Sequence, residues 1–307
     1  MEAGNYMNEY FKNYRYRNEY GDYEDGCALL AARQLHEVSG DEAYFSFIKN
    51  YADTFLSEEG GIRGDSQEAF SADWVHAGRI FFFLYRTTKE EKYRKAFESV
   101  MNRLCDYPRC ECGNFVYRGE QPEEILDALY RIQPFYMEYE TVYGKKEKYN
   151  DIIGQFENAQ KIMCGGGDRS IRSTVQYLAA LADTMDNMSI QIYEQYRKLQ
   201  DMFKEMLKVV LGKRDAESGL MQKNVDGGTE NGIDIFGSAV IGYCILKACR
   251  MGIILKEKYV GTGMEIVEKL MAEIKPSEST EEICAAIMAY GQYLQTKKEI
   301  CGPKFAG

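Results

Sequence analysis

Along this chain, stretches that are apolar on every face alternate with stretches that are apolar on one face only. The first kind covers residues 27–37, 72–86, 124–142, 174–186 and 238–251. Each is followed by a charged stretch that opens on Glu-x-Tyr, at Tyr44, Tyr93, Tyr149, Tyr196 and Tyr259. The charged stretches keep a period near 3.6, as in Phe45, Ile48, Tyr51 and Phe55, which is the spacing of an amphipathic helix. Turn residues separate the two kinds at Ser39-Gly40-Asp41, Thr88-Lys89 and Tyr143-Gly144-Lys145. A helix apolar all round must be buried, and a one-faced helix covers it from outside. Residues 281–296 read as a sixth inner helix, and residues 8–16 as its outer partner. The pattern therefore predicts an all-α fold, an (α/α)6 toroid made of residues 1–307 as a single domain. A linear solenoid also stacks helix pairs and is the alternative. Period-2 alternation is not sustained over several segments, which argues against a substantial sheet.

The connections differ in length. Inner-to-outer turns are short, whereas outer-to-inner loops at 57–71, 105–122, 163–169 and 211–232 are long and rich in glycine. In a toroid the long loops gather at one end, which becomes the ligand face.

Composition narrows the partners. A net charge of −10 argues against nucleic acid and against an anionic membrane surface, both of which need clustered Lys and Arg. A small acidic ligand stays possible, because one or two arginines can hold it. The polar start Met1-Glu2-Ala3-Gly4-Asn5-Tyr6 does not read as a signal peptide, and the apolar run from Ile80 to Tyr85 is far short of the ~20 residues that span a bilayer. Several of the 9 cysteines, among them Cys27, Cys244, Cys249 and Cys284, sit inside helical apolar patterns, as buried thiols do in a reducing compartment. The expected location is the cytoplasm.

Aligning the repeats on their tyrosines compares the starts of the inner helices. Asp25, Asp73, Asp127, Arg172 and Ser238 stand there, roughly 19 to 24 residues before each tyrosine. Single acids at helix N-termini are ordinary caps. Several converging on one mouth would instead share a cavity, where mutual repulsion leaves one carboxyl protonated beside an ionised neighbour. Asp127 lies in the apolar run Ile125-Leu126-Asp127-Ala128-Leu129-Tyr130, with Arg131 four residues on as the alternative ion-pair partner. Asp73 precedes Trp74, the only tryptophan, which suits either a sugar face or a core or lid position. His36 and His76 are the only histidines, so no zinc site is expected. Cys110-Glu111-Cys112 is a weak signal, and Gly165-Gly166-Gly167-Asp168 follows no strand and so is not a phosphate loop.

Four segments together resemble glycoside hydrolase families 88 and 105, the unsaturated glucuronyl and rhamnogalacturonyl hydrolases. They are Tyr23-Glu24-Asp25-Gly26-Cys27-Ala28-Leu29-Leu30, Gly40-Asp41-Glu42-Ala43-Tyr44-Phe45, Asp73-Trp74-Val75-His76-Ala77-Gly78-Arg79, and Leu126-Asp127-Ala128-Leu129-Tyr130 with Pro134-Phe135-Tyr136. Weaker echoes are Arg172 to Asp183, and Asp234 through Gly237-Ser238-Ala239. The resemblance implies an (α/α)6 hydrolase that needs no metal or cofactor. Its substrate is a small oligosaccharide ending in a 4,5-unsaturated uronic acid, and the enzyme is a monomer or homodimer. It also implies that Asp127 is the general acid/base, that Asp73 supports it, and that Tyr23, Asp25, Trp74, Tyr117, Arg172 and Ser238 bind substrate, with Arg172 on its carboxylate. The chain departs from the family pattern in five places, one of them the loop before Arg172, which is shortened to residues 164–168. Ile125, Val116, Gln176 and Met221 stand where tryptophans are expected, and Tyr117 where a histidine is. A catalytically silent, sugar-binding or scaffold relative is therefore the alternative to an active enzyme.

Overall fold

Residues 3–66, 70–165, 170–223, 232–275 and 278–301 are described by a computed structural model of the chain. The twelve helices among them are α1 (Ala3–Asn13), α2 (Tyr23–Ser39), α3 (Glu42–Phe55), α4 (Ala72–Thr88), α5 (Glu91–Cys105) and α6 (Pro122–Val142). They continue with α7 (Tyr149–Cys164), α8 (Ile171–Asp186), α9 (Tyr193–Gly212), α10 (Ile235–Arg250), α11 (Lys256–Glu273) and α12 (Thr280–Cys301). Among the described residues, β structure is confined to the isolated bridges Leu56–Ile62, Arg109–Phe115 and Gln222–Ile233. All three pinch the long outer-to-inner loops. The glycine run at 165–168 and the loop residues 224–231 are largely outside the described residues.

The helices form two compact units, residues 1–106 with 275–307, and residues 107–274. In the first, α2 packs between α12 and α4, with α3 and α5 outside them. In the second, α8 packs between α6 and α10, sheathed by α7, α9 and α11. The inner helices are buried nearly all round, as α10 is from Ile235 to Cys249. The outer ones bury a single stripe, as α5 does with Tyr93, Ala96, Phe97, Val100, Met101 and Leu104. The alternation read from the sequence is this division of labour. Helix α1 serves α12 and α3 together, through Tyr10 Oη at 3.5 Å from Cys284 Sγ and Phe11 against Tyr44 and Phe47.

Helices α2, α8 and α10 begin about one turn earlier than their apolar stretches, because polar caps lie upstream of the hydrophobic run, whereas α4 begins at Ala72 as expected. Asp22 accepts from the N–H groups of Glu24 and Asp25, Ser170 from Ser173, and Asp234 from Gly237. Helix α1 ends at Asn13, short of the expected Tyr16. Tyr14 and Arg17 are taken instead by the Asp25 carboxylate, which accepts from the hydroxyl of one and the N–H of the other.

Candidate active site

In the first unit the N-terminal turns of α12, α2 and α4 lie side by side. Tyr23 Oη donates to Glu281 Oε1 at 2.6 Å, joining the first turn of α2 to that of α12. On the other side, Tyr23 lies 5.3 Å from the His76 ring of α4, and Cys27 Sγ is 4.0 Å from His76 Nε2. A Cβ on Gly26 would come within 2.6 Å of His76 Cδ2, so this close approach of α2 and α4 requires glycine. Asp73 is half-buried in the first turn of α4. Asp25 is wholly buried and held by Tyr14 and Arg17. Burial raises its pKa to about 6 against the lowering pull of those two hydrogen bonds. Trp74 is buried too, edge-on to Tyr20 at 4.9 Å and against Phe70 at 5.9 Å.

In the second unit, Thr141 near the end of α6 donates to the carbonyl of Asn187, just past α8. The two helices therefore run the same way, with their starts at the same end. The starts of α8 and α10 adjoin as well, since the Arg172 guanidinium lies 4.7 Å from the Phe236 ring centre. Asp127 is in the second turn of α6, its side chain 26% exposed, with Oδ2 3.4 Å from Arg131 Nη1. Arg131 is buried and also donates to the Asp127 carbonyl at 3.2 Å. The Tyr117 ring lies 4.3 Å from the Arg131 guanidinium and 4.7 Å from that of Arg118. Asp127 is thus a partly accessible carboxylate, one oxygen of which rests on a cation held beneath an aromatic ring, an arrangement that limits the freedom of the carboxyl group. Arg172 is exposed. Ser238 is buried, and its Oγ accepts the Met221 N–H at 2.9 Å, tying the incoming loop to α10.

Glu281 escaped the sequence reading. It opens the sixth inner helix, which no Glu-x-Tyr segment follows, so the tyrosine alignment never reached it. The signal available was its place as an acid in the first turn of that helix. Among the described residues, no group of three or more His, Cys, Asp or Glu side chains could hold a metal ion, and no helix is long and apolar enough to cross a membrane.

The chain is similar in structure to a family 105 glycoside hydrolase from C. acetobutylicum, with a TM-score of 0.79, 22% identity, and 97% of this chain and 99% of that one covered. It is similar to a family 88 glycosyl hydrolase from Bacteroides vulgatus, with a TM-score of 0.73, 14% identity, and coverage of 96% and 99%. It also resembles an unsaturated glucuronyl hydrolase from Bacillus sp. GL1 responsible for degradation of glycosaminoglycan, with a TM-score of 0.67, 14% identity, and coverage of 93% and 88%. The fold is the all-α (α/α)6 toroid, and the solenoid alternative falls away. The sequence matches glycosyl hydrolase family 88 over residues 2–165 and 172–302. Matched along nearly all of its length, the chain belongs to glycosyl hydrolase family 88.

Proposed function

We propose that this glycoside hydrolase removes a 4,5-unsaturated uronic acid from small oligosaccharides in the cytoplasm, with residues 1–307 acting as one catalytic domain. Asp127 protonates C4 of the enol ether while water adds at C5, and the Asp127 carboxylate accepts the proton that the water loses. The C5 hemiketal then opens and the glycosidic bond breaks, freeing the remaining sugar. Asp73 is the supporting carboxylate, and Arg172 the cation for the substrate's carboxylate. Tyr23, Asp25, Trp74, Tyr117 and Ser238 complete the substrate-binding set, Asp25, Trp74 and Ser238 doing so from beneath by holding their helix ends in place.

The observation that carries this reading is the setting of Asp127. It is a partly exposed carboxylate seated on Arg131, which itself lies against the Tyr117 ring, in a segment whose residues resemble the family's acid/base motif. The test follows the loss of enol-ether ultraviolet absorbance on unsaturated glucuronyl and galacturonyl disaccharides. A positioned general acid contributes roughly 10²–10⁴-fold, so Asp127→Asn should lose that factor in kcat while keeping its fold by circular dichroism. Full activity in that variant, or no turnover by the unaltered protein across a broad panel, would defeat the proposal.

A second reading, a sugar-binding relative without turnover, draws on the buried aliphatic side chains of Ile125 and Met221 at two positions where tryptophan was expected. Sugars stack on aromatic faces, and these side chains offer none. Binding of the disaccharides with no change in absorbance would favour it.

A further inference from the structure

Gln176 lies in the second turn of α8 with 1% of its surface exposed, and neither its amide oxygen nor its amide nitrogen has a hydrogen-bond partner. Each of the other buried glutamines has at least one partner. Gln133 donates to Gln155 although its amide oxygen has none, Gln155 accepts from the Phe115 N–H, and Gln292 donates to Gln34. Burying an amide with no partner costs free energy, and departures of this kind concentrate where function requires them.

The direction in which Gln176 points follows from its helix. Arg172, Gln176 and Asp183 are spaced four and seven apart and so share a stripe. Both flanking members of the stripe meet α10, Arg172 at the Phe236 ring and Asp183 through the Tyr243 hydroxyl at 2.7 Å and Lys247 Nζ at 2.9 Å. The adjacent Tyr177 faces the other way, its hydroxyl donating to the Phe156 carbonyl of the outer helix α7. Gln176 therefore lies on the face of α8 toward α10 and away from the outer helix α7, one turn below Arg172. A primary amide there can give a proton to an oxygen and accept one from it. That matches a sugar hydroxyl and does not match the uronate's carboxylate, which only accepts.

We propose that Gln176 is a specificity-determining residue that hydrogen-bonds a hydroxyl group of the sugar held beneath Arg172. The inference rests on the uronyl hydrolase reading and adds to it a site for one hydroxyl.

The experiment compares the unaltered protein with Gln176→Met, which keeps length and loses the amide, and with Gln176→Leu. The probes are the unsaturated glucuronyl and galacturonyl disaccharides, with turnover and thermal midpoint measured side by side. The expected result is a fall in kcat/KM of about ten- to a hundredfold, mostly as a rise in KM with an unchanged pH profile, together with a midpoint equal to or above that of the unaltered protein. Unchanged kcat/KM on every disaccharide that the unaltered protein cleaves would overturn this proposal alone. A lower midpoint together with lower activity would assign Gln176 to packing and also overturn it. If the unaltered protein binds a disaccharide without cleaving it, the hydrolase reading fails, and Gln176 stands only if Gln176→Met abolishes the ligand-induced rise in midpoint. Neither cleavage nor binding of any probe removes both.

Discussion

Asp25 shows how one residue couples the fold to pH. Its folded pKa is raised to about 6, above the ordinary aspartate value of 3.8, chiefly by burial. Below the lower value both folded and unfolded chains carry the proton. Between the two, unfolding releases it, so stability falls as pH rises through that window and levels off above about 6. The size of the effect is on the order of 3 kcal/mol. Thermal midpoints measured from pH 4 to 7 should show this decline, and Asp25→Asn, which cannot ionise, should flatten it. Equal slopes in the two proteins would contradict the assignment. The sequence announced Asp25 as an acid at a helix start, but not that Tyr14 and Arg17 would close over it, because those contacts depend on where α1 stops. Trp74 was equally two-sided in sequence. Its burial depends on Gly21, whose φ of 82° and missing side chain admit the indole, since a Cβ there would fall 2.2 Å from Trp74 Cδ1.

Helices were legible wherever a hydrophobic period ran for several turns, and their ends were misjudged by about a turn where Asp22, Ser170 and Asp234 cap them. Pairing between helices was less legible, because it joins residues far apart in the chain. The cluster at the far ends of α8 and α10 is an example. Lys247, 6% exposed, places Nζ 2.9 Å from both Asp183 Oδ1 and Asp186 Oδ2 and 3.0 Å from Tyr243 Oη. The two carboxylates hold the Lys247 pKa well above the ordinary lysine value against the opposing effect of burial, and the lysine in turn holds Asp186 below the usual aspartate range. Removing one partner of a buried pair strands the other charge. Lys247→Met should therefore cost about 3–5 kcal/mol in denaturant unfolding, whereas exposed pairs such as Lys198–Glu157 should contribute less than about 1 kcal/mol. A Lys247→Met protein as stable as its parent would show that Asp183 finds another way to shed its charge.

For the whole molecule, the repeat of apolar helix, turn and Glu-x-Tyr helix was enough to read the fold class, since Tyr44, Tyr93 and Tyr149 each enter a buried position at the head of an outer helix. The candidate site was only partly legible. Asp73 and Asp127 stood out by motif, while Glu281 and the unpartnered amide of Gln176 emerge only when the helices are packed. All 9 cysteines are outside any disulfide, with Cys105, Cys112, Cys164 and Cys301 exposed and Cys27, Cys110, Cys244, Cys249 and Cys284 buried. A thiol reagent applied to the native protein should modify the exposed four quickly and the other five only after denaturation, and reductant should leave the thermal midpoint unchanged. Rapid native labelling of Cys244 or Cys284, which lie inside α10 and α12, would be incompatible with this packing.

The bond from Tyr23 to Glu281 spans 258 residues, and Gln34 with Gln292 spans as many. The flank of α2 that meets α12 is thus synthesised long before the helix that covers it. At ~5–20 residues per second of synthesis, that flank waits roughly ten to fifty seconds for α12. Over that interval the nascent chain exposes an apolar surface that α12 later covers, which makes the growing chain a natural client for chaperones and makes loss of α12 a route to aggregation.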